Sequence, residues 1–127
     1  MNISQTFVNA YDIALHIQDY RSFISKEPKI KLNPKGKNAV AGDLCMKNIS
    51  FKYNSSDSTV LKNITMTIRR GEKIAVVGKN GSGKTTLVKL ILRLYDVSDG
   101  EILLGGSNIK EYNLNSYRSM YGAVFQD

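Results

Sequence analysis

The stretch Gly78-Lys79-Asn80-Gly81-Ser82-Gly83-Lys84-Thr85 fits the pattern G-x-x-x-x-G-K-[ST], and no other feature constrains the fold as tightly. Such a loop works only where a strand feeds it and a helix leaves it. Both flanks comply: Lys73 to Val77 is an apolar run of the kind that forms a buried parallel strand, and Thr85 to Tyr95 carries Leu87, Leu90, Ile91 and Leu94 at helical spacing. Glycines at 78, 81 and 83 let the backbone curl into a nest of N–H groups where a Cβ would obstruct the turn or a ligand. The helix that starts there adds the positive end of its dipole, about half an elementary charge. Lys84 supplies a mobile full charge for β- and γ-phosphates, and Thr85 a hydroxyl for Mg²⁺.

The rest of the chain has to be compatible with such a core. Its 127 residues suit one domain, and 42% hydrophobic with 23% charged residues is ordinary globular composition. The longest apolar runs fall far short of the ~20 residues a membrane helix needs, and no basic segment followed by an apolar one opens the chain as an export signal would. Cys45, the single cysteine, cannot form an internal disulfide and reads as a small core residue. The net charge of +7 owes much to Lys26, Lys29, Lys31, Lys35 and Lys37, which share a stretch with Pro28, Pro34 and Gly36. That composition predicts a solvated linker, and without interleaved aromatics it gives no reason to expect nucleic acid.

The linker divides the chain. Before it, Ile3, Phe7, Ala10, Tyr11, Ala14, Ile17 and Phe23 or Ile24 line one face of a helix from about Ser4 to Ser25. His16 lies beside that stripe and reads as solvated, since no Cys or acidic cluster joins it at metal spacing. After the linker, Asp43 to Tyr53 and Val60 to Ile68 alternate as antiparallel strands around the turn cluster Asn54 to Ser58. Ser98-Asp99-Gly100 and Gly105-Gly106-Ser107 predict a hairpin of Glu101 to Leu104 with Ile109. Asn115 or Ser116 is expected to cap a short helix toward Met120, and Tyr121 to Phe125 reads as a second buried strand.

A phosphate loop alone leaves GTPases, small-molecule kinases, helicases and transporter motors open. Its flanks narrow the choice. "KNISFKY", "VLKNITMTIRRGEKIAVVGKNGSGKTTLVKLILRLYD" and "DGEILLGGSNIKEYNLNSYRSMYGAVFQD" follow one another in the order found in the nucleotide-binding domain of ATP-binding-cassette (ABC) transporters, which the chain resembles over Asp43 to Asp127. The helix and linker of residues 1–40 are similar, less specifically, to the segment that joins such a domain to a transmembrane domain in exporters. The resemblance implies an α/β phosphate-loop NTPase (ABC ATPase) core with an antiparallel β subdomain, over residues 41–127.

It also implies roles. Tyr53 would be the aromatic that stacks on adenine, a contact of ~1 to 3 kcal/mol per base. Gly78, Asn80, Gly81, Ser82, Gly83, Lys84, Thr85 and Thr86 would surround the phosphates of ATP, with Thr85 and Gln126 ligating Mg²⁺. Gln126 would also hold the attacking water or bond the γ-phosphate, so Lys84 and Gln126 are the expected catalytic groups. Lys79 and Gly105 depart from the common pattern at positions without a catalytic role. Family members carry further motifs: an L-S-G-G-Q signature, an apolar strand ending in Asp then Glu, and a switch histidine. None occurs between Asp43 and Asp127.

The expectation is therefore the first half of a nucleotide-binding domain, truncated after Gln126. It would bind ATP and Mg²⁺ and hydrolyse ATP in the intact dimer to power transport at the cytoplasmic face of a membrane. Its partners would be a transmembrane domain, on the same or another chain, and a second nucleotide-binding domain, with no nucleic acid. A soluble ABC-type ATPase and a non-catalytic nucleotide-binding or interaction module are the alternatives.

Overall fold

A computed structural model describes residues 13, 17–25, 30, 32–54 and 56–124. Its centre is an antiparallel sheet of order β2-β1-β3-β4, with β1 Leu44–Lys52, β2 Thr59–Ile68, β3 Asp99–Leu104 and β4 Ser107–Asn108. The alternation expected of β1 and β2 is present, with one informative break. Leu44 and Met46 point into the core, but so do Ile49 and Phe51, so the inward set changes from even to odd positions. One extra residue produces such a change, because the side-chain period of a strand is two. Asn48 takes a left-handed φ of 50° where the register with both β2 and β3 shifts. Its Oδ1 accepts from the Thr65 hydroxyl at 2.8 Å, a bond that anchors the bulge. Gly100 approaches the same place from β3, where a Cβ would collide with the Lys47 and Asn48 carbonyls.

The expected hairpin turns at Gly105 and Gly106 and leads through a short 3-10 turn, Ile109–Glu111. Helix α2, Lys84–Ile91, lays Leu87 and Leu90 on the sheet's core side with Met46, Ile49, Phe51 and Ile102. The sequence predicts this helix as far as Tyr95; it stops earlier. The Leu94 amide bonds the Lys89 carbonyl at 2.8 Å and the Arg93 amide bonds the Leu90 carbonyl at 3.0 Å, the paired bonds that close a helix on a left-handed residue. That residue is Arg93, at φ 51°. Its guanidinium is buried and holds the Ile109 carbonyl at 3.2 Å and Asp96 at 3.3 Å, which compensates a backbone conformation that normally favours glycine. Helix α3, Leu114–Arg118, is capped by Asn113, not by Asn115 or Ser116: the Asn113 Oδ1 accepts from the amides of both. Arg118 reaches back to the Leu92 and Arg93 carbonyls and so covers the C-terminal end of α2.

Two predicted buried strands are not paired among the described residues. Lys73 to Val77 carries no sheet ladder and lies exposed, Val77 at 87%; residues 121–124 likewise carry no ladder, with Val124 at 100%. A parallel strand is covered on both faces only when strands flank it and helices lie over them, and no described strand flanks either segment. The four-stranded sheet is antiparallel throughout.

The lysine stretch also departs from expectation. Residues 36–39 dock on the hairpin and α3: the Lys37 amide donates to the Glu111 carbonyl, the Asn113 amide to the Lys37 carbonyl, and the Ala39 amide to the Ser116 hydroxyl. The Lys37 ammonium lies 2.7 Å from Glu111, 2.8 Å from the Ser107 hydroxyl and 5.5 Å from the centre of the Tyr112 ring. Its hydrogen bond holds the Glu111 carboxyl below the usual range. Gly36 is needed there because a Cβ would meet the Asn113 amide at 2.6 Å. Proline, glycine and lysine read as linker because composition says nothing about backbone pairing. Lys26, Lys29, Lys31 and His16 lie outside the described residues. Residues 17–24 form helix α1, with Ile17, Tyr20, Phe23 and Ile24 exposed, while Ile3, Phe7, Ala10, Tyr11 and Ala14 of the predicted stripe lie outside the described residues.

Candidate functional site

The glycine loop lies where Lys73–Val77 meets α2. Gly81 and Gly83 take φ of 79° and 91°, in the region where a side chain is strained. Around Gly81 nothing approaches within 4 Å of an added Cβ, whereas at Gly83 a Cβ would strike the Leu61 side chain at 2.6 Å. Gly83 is thus doubly required, by its dihedral and by its closeness to β2, and Gly81 leaves the loop open on its outer side. At Gly78 a Cβ would press on the Ser82 hydroxyl at 2.7 Å.

Gly83 is the N-cap of α2 and provides no side-chain cap; no acidic residue stands in the first turn. The first internal bond of the helix runs from the Leu87 amide to the Gly83 carbonyl at 2.8 Å, so the amides of Lys84, Thr85 and Thr86 precede the helix's own bonding and have no intrahelical acceptor, while the Ser82 amide bonds the Lys79 carbonyl at 3.2 Å. Lys84 folds over the loop, its Nζ 2.8 Å from the Gly78 carbonyl and 2.9 Å from the Lys79 carbonyl. An ammonium has three donors, and the loop engages two of them. Thr85 is exposed beside Lys84, and Asn80 and Ser82 are exposed in the loop. Uncapped amides, a positive helix end and a lysine held at the mouth together form an acceptor for an anion.

Thr86 stands apart from its neighbours. It is buried, and its hydroxyl lies 3.1 Å from the Tyr53 hydroxyl. Tyr53 follows β1, and its ring meets Phe51 edge-on at 4.8 Å and Tyr95 at 5.2 Å. A hollow of about 720 Å³ opens beside Tyr53 and Tyr95, and another of about 740 Å³ runs past Lys84, Thr85, Val88 and Tyr121. Tyr53 and Lys84 therefore line different hollows, joined through Thr86. Gln126 lies outside the described residues. Residues the sequence did not single out also shape the site: Tyr95, which walls in Tyr53, and Arg93 and Arg118, which fix the far end of α2. A third group is the stack behind α2. The Tyr117 hydroxyl donates to the Ile91 carbonyl at 2.6 Å and receives the Tyr121 hydroxyl at 2.9 Å; burial pushes the Tyr117 hydroxyl far up, so it stays a donor. The αL position of Arg93, which ends the helix, has no readable sequence signal. Among the described residues, no cluster of His, Cys, Asp and Glu could hold a metal, and no helix is long and apolar enough to cross a membrane.

The loop sequence and its position at the mouth of α2 define a phosphate-loop fold. Residues 61–127 match the profile of the ABC transporter family, and the chain belongs to that family. It is 35% identical over 127 residues to the subtilin transport ATP-binding protein SpaT of Bacillus subtilis, covering 99% of this chain and 21% of that protein. A candidate multidrug export ATP-binding/permease protein of Staphylococcus aureus is 44% identical over 86 residues, 68% of this chain and 15% of its own length. Among solved structures, a bacterial Atm1-family ABC exporter with ATP bound superposes with a TM-score of 0.74 at 25% identity, over 84% of this chain and 19% of that one. The chain spans about a fifth or less of the length of these relatives.

Proposed function

We propose that the chain is part of the nucleotide-binding domain of an ABC exporter: it binds ATP with Mg²⁺ at the glycine loop, and in the whole protein ATP hydrolysis powers movement of a substrate across a membrane. The observation that carries this reading is the uncapped start of α2, where amides without an intrahelical acceptor and the Lys84 ammonium meet a loop kept open by Gly81 and Gly83. The names of the relatives support it, since each describes a transport or export protein and SpaT is an ATP-binding one.

The amides at the start of α2 hold phosphate oxygens, and Lys84 turns its remaining donor toward the β- and γ-phosphates. Thr85 offers the hydroxyl that suits Mg²⁺, which favours a few protein oxygens among waters and phosphate oxygens. Gln126 orients the attacking water or the γ-phosphate. Asn80 and Ser82 add donors from the loop's rim, and Tyr53 takes the base. The exposed Ile74, Val76 and Val77 pair with strands elsewhere in the protein. The partners are a transmembrane domain and a second nucleotide-binding domain, at the cytoplasmic face of the membrane.

Binding and turnover separate in this chain. Its residues provide the phosphate cradle but not the acidic strand end or signature that hydrolysis requires. The 127-residue chain is expected to bind a fluorescent ATP analogue and to release phosphate from ATP at close to the background rate. Mg²⁺-dependent phosphate release that survives repurification and disappears in a Lys84→Ala variant would contradict this division.

A further inference from the structure

We propose that the Asn80–Gly81 peptide of the glycine loop is a self-modification site: in the empty loop Asn80 deamidates through a cyclic imide, and the carboxylate that results weakens anion binding. The modification follows from the turn itself, and its effect on ATP rests on the nucleotide-binding reading above.

Asparagine is thermally labile, most of all where the next peptide nitrogen reaches its side-chain carbonyl. A following glycine leaves that nitrogen unshielded, because it has no Cβ. Asn80 is the one asparagine in the sequence that precedes glycine. Both residues are exposed, in a turn closed by the Ser82 amide on the Lys79 carbonyl at 3.2 Å. Gly81 sits at φ 79° with nothing within 4 Å of an added Cβ. Among the described residues, neither its amide nor the Asn80 side chain has a hydrogen-bond partner. Asparagines elsewhere are held: the Ser116 amide that follows Asn115 donates to the Asn113 Oδ1 at 3.1 Å, and the Asn48 Oδ1 accepts from the Thr65 hydroxyl.

Ring closure joins the Gly81 nitrogen to Asn80 Cγ and breaks the Cγ–Nδ2 bond, so that the side-chain nitrogen leaves as ammonia with the peptide proton. One water then adds to either imide carbonyl and reopens the ring as aspartate or as isoaspartate, which lengthens the backbone by a methylene. The new acid passes its proton to the ammonia. One water is consumed, one ammonium released and one negative charge left in the loop. That charge arises beside Lys79, on whose carbonyl the Lys84 ammonium rests at 2.9 Å. It offers the ammonium an internal counter-ion, repels an incoming phosphate and removes a donor from the rim. A bound polyphosphate holds the same turn in place, so the empty loop ages faster than the filled one.

The test ages the 127-residue chain in warm, mildly alkaline buffer, alone and with ATP or inorganic tripolyphosphate plus Mg²⁺. Peptide mass mapping follows each asparagine, and enzymatic methylation marks isoaspartate. Position 80 is expected to convert ahead of every other asparagine, to be slowed by either polyphosphate, and to fall silent in an Asn80→Gln variant, whose ring would need an extra carbon. The fully aged chain and an Asn80→Asp variant are expected to bind tripolyphosphate about tenfold more weakly, with circular dichroism unchanged. Conversion at position 80 no faster than at Asn54 or Asn115, or far slower than in the urea-unfolded chain, would overturn the site. Unchanged tripolyphosphate affinity after complete conversion would overturn its effect on binding. An unaged chain that binds neither polyphosphate would instead strike the function proposed above, and the conversion rates would still decide the modification.

Discussion

Lys84→Ala is expected to abolish measurable binding of a fluorescent ATP analogue while leaving the fold intact. Lys84 is half-buried in the loop rather than in the core, and the bonds it makes in the free chain go to the Gly78 and Lys79 carbonyls, both at the exposed surface. Losing those two neutral acceptors costs little, because water replaces the ammonium there. In the bound state the same nitrogen faces phosphate charge, and a hydrogen bond to a charged group is worth about 1.5 to 3 kcal/mol, or about ten- to 150-fold in affinity for each bond lost. Fluorescence anisotropy measures the affinity and circular dichroism checks the fold. Retained affinity in a folded Lys84→Ala chain would remove the phosphate-loop assignment.

Arg93→Ala is expected to act on stability instead. The side chain is 2% exposed and connects the end of α2 to the Ile109 carbonyl and to Asp96. Its removal leaves Asp96, itself partly buried, and a buried carbonyl without their partner, and it places alanine at φ 51°, where only the lost contacts held a side chain. Breaking a buried pair by removing one partner costs about 3 to 5 kcal/mol. Urea unfolding should show the midpoint fall accordingly. A loss below about 1 kcal/mol would mean that the pair behaves as an exposed one and that α2 ends where it does for another reason.

These two residues also mark what the sequence could and could not reveal. Lys84 was legible because the phosphate loop is local: spacing, glycines and flanking apolar runs all fall within a few turns of chain. The antiparallel pairing of Asp43 to Tyr53 with Val60 to Ile68 is legible for the same reason, whereas the bulge at Asn48 is a finding of the structure. Arg93 was not legible, because a buried arginine is defined by Ile109 and Asp96 meeting it in space. The docking of Lys37 on Glu111 and Tyr112 is illegible in the sequence likewise, since its partners lie far along the chain. Asn113 is not distinguished as the cap by sequence because Asn115 and Ser116 are equally good cap types, and only the backbone decides which residue stands outside the helix. The strands expected at Lys73 to Val77 and Tyr121 to Phe125 were read from apolar content, which fixes where a segment can be buried but not what pairs with it.

Phosphate binding by the glycine loop is read out by the amide spectrum of the isotopically labelled chain during titration with ATP and Mg²⁺. The largest shifts are predicted for Gly81, Gly83, Lys84 and Thr85, whose amides meet the phosphates, with a separate set at Tyr53 and Tyr95 where the base lies. Inorganic tripolyphosphate should reproduce the first set and not the second. Shifts confined to other surfaces, or a loop whose amides do not respond to saturating ATP, would mean that the loop does not hold the nucleotide.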